Sequence, residues 1–381
     1  YTRRIGIENG MPVPVLGGAR LFGKQGRHNI GALVLQTGAT GDAPTTNNAV
    51  FRYKHDIGEQ SFVGGLVTSK INADVSSQVV AVDGGWNSNK FLGDKRIALE
   101  GWYARSITDG ELDSNGTSAG LWFAYPNDRW DCAALIGTTE GGFKPELGFL
   151  NRTNYELAEA EVNFQPRWFQ KLGVRKMLFN LAEVSMYRTA HTGNVESFSF
   201  STSPLGVLLG KGDEAGLWFA WFEDGVAEAF DISDDISIAA GRYSYRETGF
   251  YVSTFRGRRL QMEWNGSWGT FFGGKKTTYN TSITGNFNKH FNVQLDHTWN
   301  ALEFPVNDLR NKVRLETHEV ALYPTWAFNP NLSVSIFGQW NSLQDIGLVN
   351  ARLHWIPKIG TDLFLVFNQS HSPTDRIRID D

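Results

Sequence analysis

The chain has 381 residues, with 36 Lys and Arg against 40 Asp and Glu and a net charge of -4. Both signs are spread along it, so it carries no basic nucleic-acid footprint and no nucleic-acid partner is expected. Hydrophobic residues make up 41% of the chain and mean hydropathy is -0.31. No run approaches the roughly 18 apolar residues of a spanning helix, which excludes a helical membrane protein.

The length alone allows two or three domains, but the side-chain pattern runs almost end to end without a linker of biased composition. Strands are expected at 15–22, 28–37, 49–57, 61–69, 77–85, 95–108, 117–125, 129–137, 154–165 and 174–189. They continue at 195–208, 215–230, 244–255, 259–269, 277–287, 291–300, 314–327, 332–341, 348–356 and 362–368. Within these segments apolar and polar residues alternate. Leu260, Met262, Trp264, Gly266 and Trp268 interleave with Arg259, Gln261, Glu263, Asn265 and Ser267. The same holds for Phe291, Val293, Leu295, His297 and Trp299, and again for Leu332, Val334, Ile336, Gly338 and Trp340. A strand sends successive side chains to opposite faces, so each segment has one oily face and one wet face.

Many such segments joined by Gly, Asn and Asp turns are the signature of a transmembrane β-barrel with a polar lumen. The expected fold is therefore all-β: one large antiparallel barrel of roughly 20 strands, between about 18 and 24, occupying residues 1–381 and lying in a bacterial outer membrane. Connections alternate in length. Short ones are expected at 126–128, 256–258, 288–290, 329–331 and 357–360, and longer ones at 109–116, 138–150, 231–242 and 303–313. Short periplasmic turns and long outer loops are the outer-membrane arrangement. This phasing puts both ends of the chain on the long-loop side, whereas a complete barrel ends in the periplasm. Either strands are missing at one or both ends or the strand count is off by one, and the chain is expected to be a fragment whose export signal lay upstream of Tyr1. The one cysteine, Cys132, permits no disulfide framework and is expected as a small lipid-facing residue.

Several stretches are distinctive: the hairpin from Gly17-Gly18-Ala19-Arg20 through Gly23-Lys24-Gln25-Gly26-Arg27-His28 to Gly31, the opening Tyr1-Thr2-Arg3-Arg4-Ile5-Gly6, and residues 52–61. So are Gly148-Phe149-Leu150-Asn151-Arg152-Thr153, Gly241-Arg242-Tyr243, and Asp362-Leu363-Phe364-Leu365-Val366-Phe367-Asn368. Together they resemble the C-terminal domain of an uncharacterised bacterial outer-membrane family, the carbohydrate-binding family 9-like proteins with a barrel domain of unknown function. The resemblance implies an N-terminal β-sandwich and a final aromatic strand. This chain starts at the Arg-Arg motif and stops at Asp381, so neither is expected within it. The resemblance implies no activity, and no catalytic residue carries over from it.

The expected functional residues are those of a wet bore. Arg52, Lys54 and Asp56 share a face on one strand, and Glu159 and Glu161 share one on another; Arg259, Glu263 and Arg352 complete the candidate lumen lining. Charge inside a pore selects solutes by sign, while salt bridges across it would close it; roughly 20 strands enclose too wide a bore for wall side chains alone to fill. Trp264, Trp268, Trp299 and Trp340 suit a membrane interface, having an apolar body and a polar tip. The loop with Asp231, Asp234 and Asp235 offers carboxylates to a hard cation but lacks the Gly and Glu of an EF-hand, so a solvated outer loop is the expectation there. Asp296-His297 and His318, near Glu316 and Glu319, are the best raw material for catalysis, but Asp296 and His297 point to opposite faces and cannot cooperate. No enzyme activity, cofactor or metal is expected. The first expectation is a porin-like conduit for polar solutes, touching outer-membrane lipid and lipopolysaccharide. The alternative is a scaffold barrel that holds a plug domain or a periplasmic or surface protein, and a membrane-embedded hydrolase ranks last.

Overall fold

Backbone hydrogen bonding between neighbouring strands organises most of the described residues. The computed structural model describes residues 5–8, 11–41, 43–110, 114–233, 236–306 and 311–372. Two units divide it: Tyr1–Asn163 with Ala182–Ser199, and Phe164–Leu181 with Phe200–Asp381. The fold is all-β. Its one helical piece among the described residues is the 3-10 turn Gln170–Leu172, and no helix is long and apolar enough to cross a membrane.

In the first unit a short ribbon, β1 (Ile7–Glu8) and β2 (Met11–Pro12), precedes an antiparallel meander. Its strands are β3 (Val15–Gln25), β4 (His28–Thr37), β5 (Thr46–Ile57), β6 (Ser61–Ile71), β7 (Val75–Phe91), β8 (Lys95–Gly110), β9 (Ser114–Pro126) and β10 (Trp130–Thr139), each paired with the next. Then come β11 (Tyr155–Phe164), β12 (Val174–Met177), β13 (Phe179–Thr189) and β14 (Val195–Leu209). Residues of β11, β13 and β14 contribute to both units, and β12 belongs to the second.

In the second unit β15 (Glu214–Val226) is followed by a small separate hairpin, β16 (Phe230–Ser233) and β17 (Ile236–Ile238). The meander resumes with β18 (Gly241–Ser253), which pairs with β15. It continues through β19 (Leu260–Phe271), β20 (Gly274–Asn286), β21 (Phe291–Val306), β22 (Asn311–Asn329), β23 (Leu332–Asn341), β24 (Ile346–Lys358) and β25 (Thr361–His371), again each with its successor.

Register decides which side chains share a face. In the first unit one row across the strands reads Lys54, Gly64, Asp83, Trp102, Gly120 and Gly137. The neighbouring row on the opposite face reads His55, Val63, Gly84, Gly101, Leu121 and Ile136. In the second unit Ser253, Glu263, Ser282, Asp296, Ala321 and Gln339 form a polar row, and Val252, Trp264, Thr281, His297, Val320 and Trp340 an apolar one. Each unit thus has a polar face and an apolar face. The apolar face is uncovered: Ile136 is 58% exposed and Val82 56%. Monomeric soluble domains avoid such large contiguous apolar surfaces.

The structure departs from the sequence expectation chiefly at the connections. Within 109–116 and 303–313 the described residues are strand rather than loop, residues 111–113 and 307–310 lying outside the described residues. β8 continues to Gly110 and β9 begins at Ser114, while β21 runs to Val306 and β22 begins at Asn311. Polar residues extend these strands because ladder hydrogen bonds, unlike the hydrophobic pattern, need no apolar side chain. The segment 174–189 is two strands separated at Leu178, and 215–230 ends as a strand at Val226. The acidic segment that follows forms the β16–β17 hairpin, with Asp231 exposed to solvent. Ile236 and Ile238 of β17 are buried against Phe304 of β21. Asp231 lies in β16, whereas Asp234 and Asp235 fall outside the described residues.

The turn between β14 and β15 rests on Asp213. Its carboxylate accepts the backbone N–H of Phe255 (3.0 Å) and Nη2 of Arg258 (2.5 Å), and these donors hold its pKa below the usual carboxylate value. A depressed folded-state pKa stabilises above the unfolded value and is lost as pH falls through the folded value. Protection of the Phe255 amide from hydrogen exchange is therefore expected to hold down through the ordinary carboxylate range and to fall only below it. In Asp213→Ala it should be weak at every pH. Equal protection in the two proteins would refute this role.

Candidate functional site

The polar face of the first unit is cross-linked by charge. Arg52 on β5 reaches across β6 to grip Asp83 on β7 with both guanidinium nitrogens, at 2.5 and 2.7 Å. The reach requires Gly64 on the intervening strand, because a Cβ there would stand 2.8 Å from Arg52 Nη2. Lys24 on β3 meets Asp56 at 2.6 Å, and Lys54 lies 3.9 Å from the same carboxylate with its ammonium 4.2 Å from the centre of the Phe62 ring. Arg52, Lys54 and Asp56 do share this face, through the two-residue period of β5.

A long connection closes over part of this face. Residues 140–154, between β10 and β11, lie against β7, β8 and β9. Phe143 packs with Val79 and Ala104, and Leu147 is buried as well. Ser106 Oγ accepts the Lys144 N–H at 2.8 Å, and Ser114 Oγ donates to the Gly142 carbonyl at 2.8 Å. Two glycines allow the approach. A Cβ on Gly116 would stand 2.2 Å from Phe143 N, and one on Gly142 would stand 2.2 Å from the Asn115 carbonyl oxygen. Lys70 on β6 reaches Glu146 at 3.6 Å, and Lys144 reaches it at 3.5 Å. Beneath the connection, strand hydroxyls bond to each other: Ser77 with Thr108 at 2.9 Å and Ser118 with Thr139 at 3.0 Å. A cavity of about 450 Å³ remains beside it, bounded by Trp102, Ser118, Thr139, Phe143 and Tyr155. The Trp102 ring lies flat over Gly120, where a Cβ would meet it at 2.2 Å.

Further along this face, Glu159 accepts Ser185 Oγ at 3.1 Å and Glu161 accepts Asn163 Nδ2 at 2.6 Å; both border a recess of about 240 Å³ with Trp122 and Glu183. In the second unit Glu263, Asp296 and Glu319 line a recess of about 330 Å³ with Asn265, Asn280 and Tyr323. Amides and one cation take these carboxylates: Gln294 Nε2 at 3.0 and 2.9 Å from Asp296, Gln339 Nε2 at 2.6 Å from Glu319, and Arg256 Nη2 at 3.3 Å from Glu263. Arg352 sits 5.6 Å from the Phe364 ring centre. Arg259 belongs elsewhere. It lies in the turn before β19, which begins at Leu260, and its carbonyl accepts the Asn286 N–H at 2.6 Å.

The apolar face of the second unit carries the four interface tryptophans. Trp264, Trp268, Trp299 and Trp340 all lie on it, with Tyr279 stacked between Trp264 (6.3 Å) and Trp299 (5.6 Å). Trp340 Nε1 donates to Asp345 at 3.1 Å. Cys132 also lies on the apolar face of its own unit, opposite Tyr125. His297 and His318 stack with planes 4° apart, Nε2 of the first 3.1 Å from Nδ1 of the second. Asp296 is on the other face, so no carboxylate from that strand orients either ring. Among the described residues no group of His, Cys, Asp and Glu is placed to hold a metal ion.

The inward-packed connection escaped sequence reasoning. Its one signal was Phe143, Leu147, Phe149 and Leu150 among glycines, too apolar a set for a solvated loop. No protein-family model and no curated protein matches this chain.

Phe143→Ala empties a buried site at a cost of about 3 kcal/mol. Local opening of 140–154 is then expected to rise on the order of a hundredfold, read as faster tryptic cleavage after Arg152 with the strands still protected. Unchanged cleavage would mean that the connection is held by other contacts.

Proposed function

We propose that the strands of this chain close into one antiparallel barrel of roughly 20 strands spanning a bacterial outer membrane, and that the bore conducts polar solutes. The observation that carries this reading is the division of faces. In both units the face with large exposed apolar side chains is uncovered, while the opposite face holds the Arg52–Asp83 and Lys24–Asp56 pairs and the Glu263, Asp296 and Glu319 carboxylates. Lipid would satisfy the first face and water the second. The cluster of Trp264, Tyr279, Trp299 and Trp340 on the apolar face suits a headgroup interface. The hairpin and strand motifs that resemble the carbohydrate-binding family 9-like outer-membrane proteins point to the same compartment.

In this reading the long connections face outward, where lipopolysaccharide is the partner, and 140–154 narrows the bore from within. Lys70, Lys144 and Glu146 then stand at the narrowest part and set which charge passes. The chain works as a conduit and not as a hydrolase, since Asp296 and His297 occupy opposite faces and the His297 Nε2 is taken by His318. The covering of the polar face by 140–154 also favours a second reading, a barrel whose bore is shut and whose role is to hold a plug domain or partner protein.

Fractionation and conductance test both. The chain is expected in the outer-membrane fraction and, in planar bilayers, to give a stable unitary current. Replacing residues 141–149 with a Gly-Ser linker should raise that current severalfold, and Lys70→Glu should shift ion preference toward cations. A soluble protein would defeat the membrane assignment. No current from either the wild type or the linker variant would leave the scaffold as the answer.

A further inference from the structure

The polar face of the second unit carries aromatic rings where the two-residue period calls for polar side chains. Trp218 on β15 lies opposite Gly249 on β18, and Tyr251 on β18 lies opposite Gly216 on β15. Each ring rests on the glycine it faces. A Cβ on Gly249 would stand 2.4 Å from the Trp218 ring, and one on Gly216 would stand 2.5 Å from that of Tyr251. Both rings are half-buried, with one face against the backbone and the other turned away from it. The two pairs are consecutive on this face, about 7 Å apart along the strands. Toward the β16–β17 hairpin the column continues, with Phe222 stacked on Tyr245 at 5.0 Å and Tyr245 at 5.7 Å from Phe271.

Beside the rings stand uncharged hydrogen-bonding groups. The row of Trp218 and Gly249 runs on to Ser267, Thr278 and Asn300, and the row of Gly216 and Tyr251 runs on to Asn265, Asn280 and Thr298. Thr278 Oγ1 donates to Asn300 at 2.8 Å and Thr298 Oγ1 to Asn280 at 2.9 Å, so these groups are held in place before any solute arrives. Two carboxylates along the rings have partners: Glu247 meets Lys276 at 3.3 Å, and Asp224 accepts the Tyr245 hydroxyl at 2.5 Å. A sugar ring has a face of C–H groups and a rim of hydroxyls, each both donor and acceptor. That face suits the electron-rich face of an aromatic ring, and that rim suits amides and hydroxyls. A cation is better held by rings that surround it, whereas these lie side by side on one wall.

We infer that this face is a binding track for an uncharged oligosaccharide. Successive sugar rings stack on Trp218 and Tyr251, and their hydroxyls bond to Asn265, Thr278 and Asn280. The inference rests on the outer-membrane reading, which makes this the wet face, and it names the class of polar solute that the conduit takes.

The test uses the full chain in detergent micelles and in planar bilayers, with maltohexaose, cellohexaose and chitohexaose as neutral probes and choline as a cationic one. At least one hexasaccharide is expected to bind the solubilised chain, read by calorimetry and saturation-transfer NMR, and to interrupt the current. It should act well below the concentration its monosaccharide needs, because two stacked rings engage together. Trp218→Leu and Tyr251→Leu keep apolar bulk and remove the flat face. Each should raise the dissociation constant roughly tenfold, the loss of about one stacked ring. Thr278→Val with Asn280→Leu leaves both rings in place, should weaken binding by a similar factor, and reads the site if a ring variant does not fold. Rings that serve only to shield the glycines would lower the unfolding temperature when replaced and leave sugar affinity unchanged. No hexasaccharide bound, unchanged affinity in the folded variants, or choline bound in place of sugar would each overturn the track, and a current that persists alongside these results leaves the conduit standing. Sugar bound by a chain that passes no current would keep the track and overturn the conduit.

Discussion

Every residue in a paired strand has its backbone polar groups committed to its neighbours, which leaves one choice for its side chain: one face of the sheet or the other. The rest of the molecule depends on this constraint. A register read from Lys54 through Gly64 and Asp83 to Trp102 puts a charge, a gap, a counter-charge and a ring in one line, so the salt bridge from Arg52 can pass over the gap. A slip of one residue would send all of them to the apolar side. The ladder thus does work that a packed core does in other folds. Buried apolar residues occur here in small separate groups, around Phe143 in one unit and around Ile236 and Ile238 in the other.

Glycine marks the places where that constraint is used hardest. Gly64 clears the path of Arg52, Gly120 takes the Trp102 ring, and Gly116 with Gly142 lets one backbone lie on another. None of these needs an unusual backbone conformation; each needs the absence of a Cβ. Close approach is what allows 140–154 to lie flat on the strands, with Ser106 and Ser114 bonding to its backbone. The β16–β17 hairpin achieves a similar covering in the second unit by burying isoleucines against Phe304 instead.

The two faces carry charge differently. On the polar face the charges are mostly paired, as at Asp83 with Arg52, so an open path there would run between salt bridges rather than past bare ions. On the apolar face the exceptions matter: Arg105, Arg188 and Glu156 stand among leucine, isoleucine and methionine. Charge on such a face is costly in hydrocarbon, so its place at the strand ends is informative.

Strand existence and facing were legible in the residues themselves. The strands His28–Thr37 and Leu332–Asn341 begin and end where alternation and turn residues put them, because period two is a local property that each segment carries alone. The apolar set of Trp264, Trp299 and Trp340 and the charged set of Arg52, Lys54 and Asp56 follow from the same period. Strand ends were less legible: β8, β21 and β22 run beyond their hydrophobic stretches on hydrogen bonds to neighbours that no single segment reveals. The partners of Arg52, Lys70 and Arg188, the burial of Phe143, and the turn position of Arg259 were decided only by the tertiary structure. Each depends on register between strands far apart in the chain, and the side-chain period of one strand says which face a residue takes but not what lies across from it.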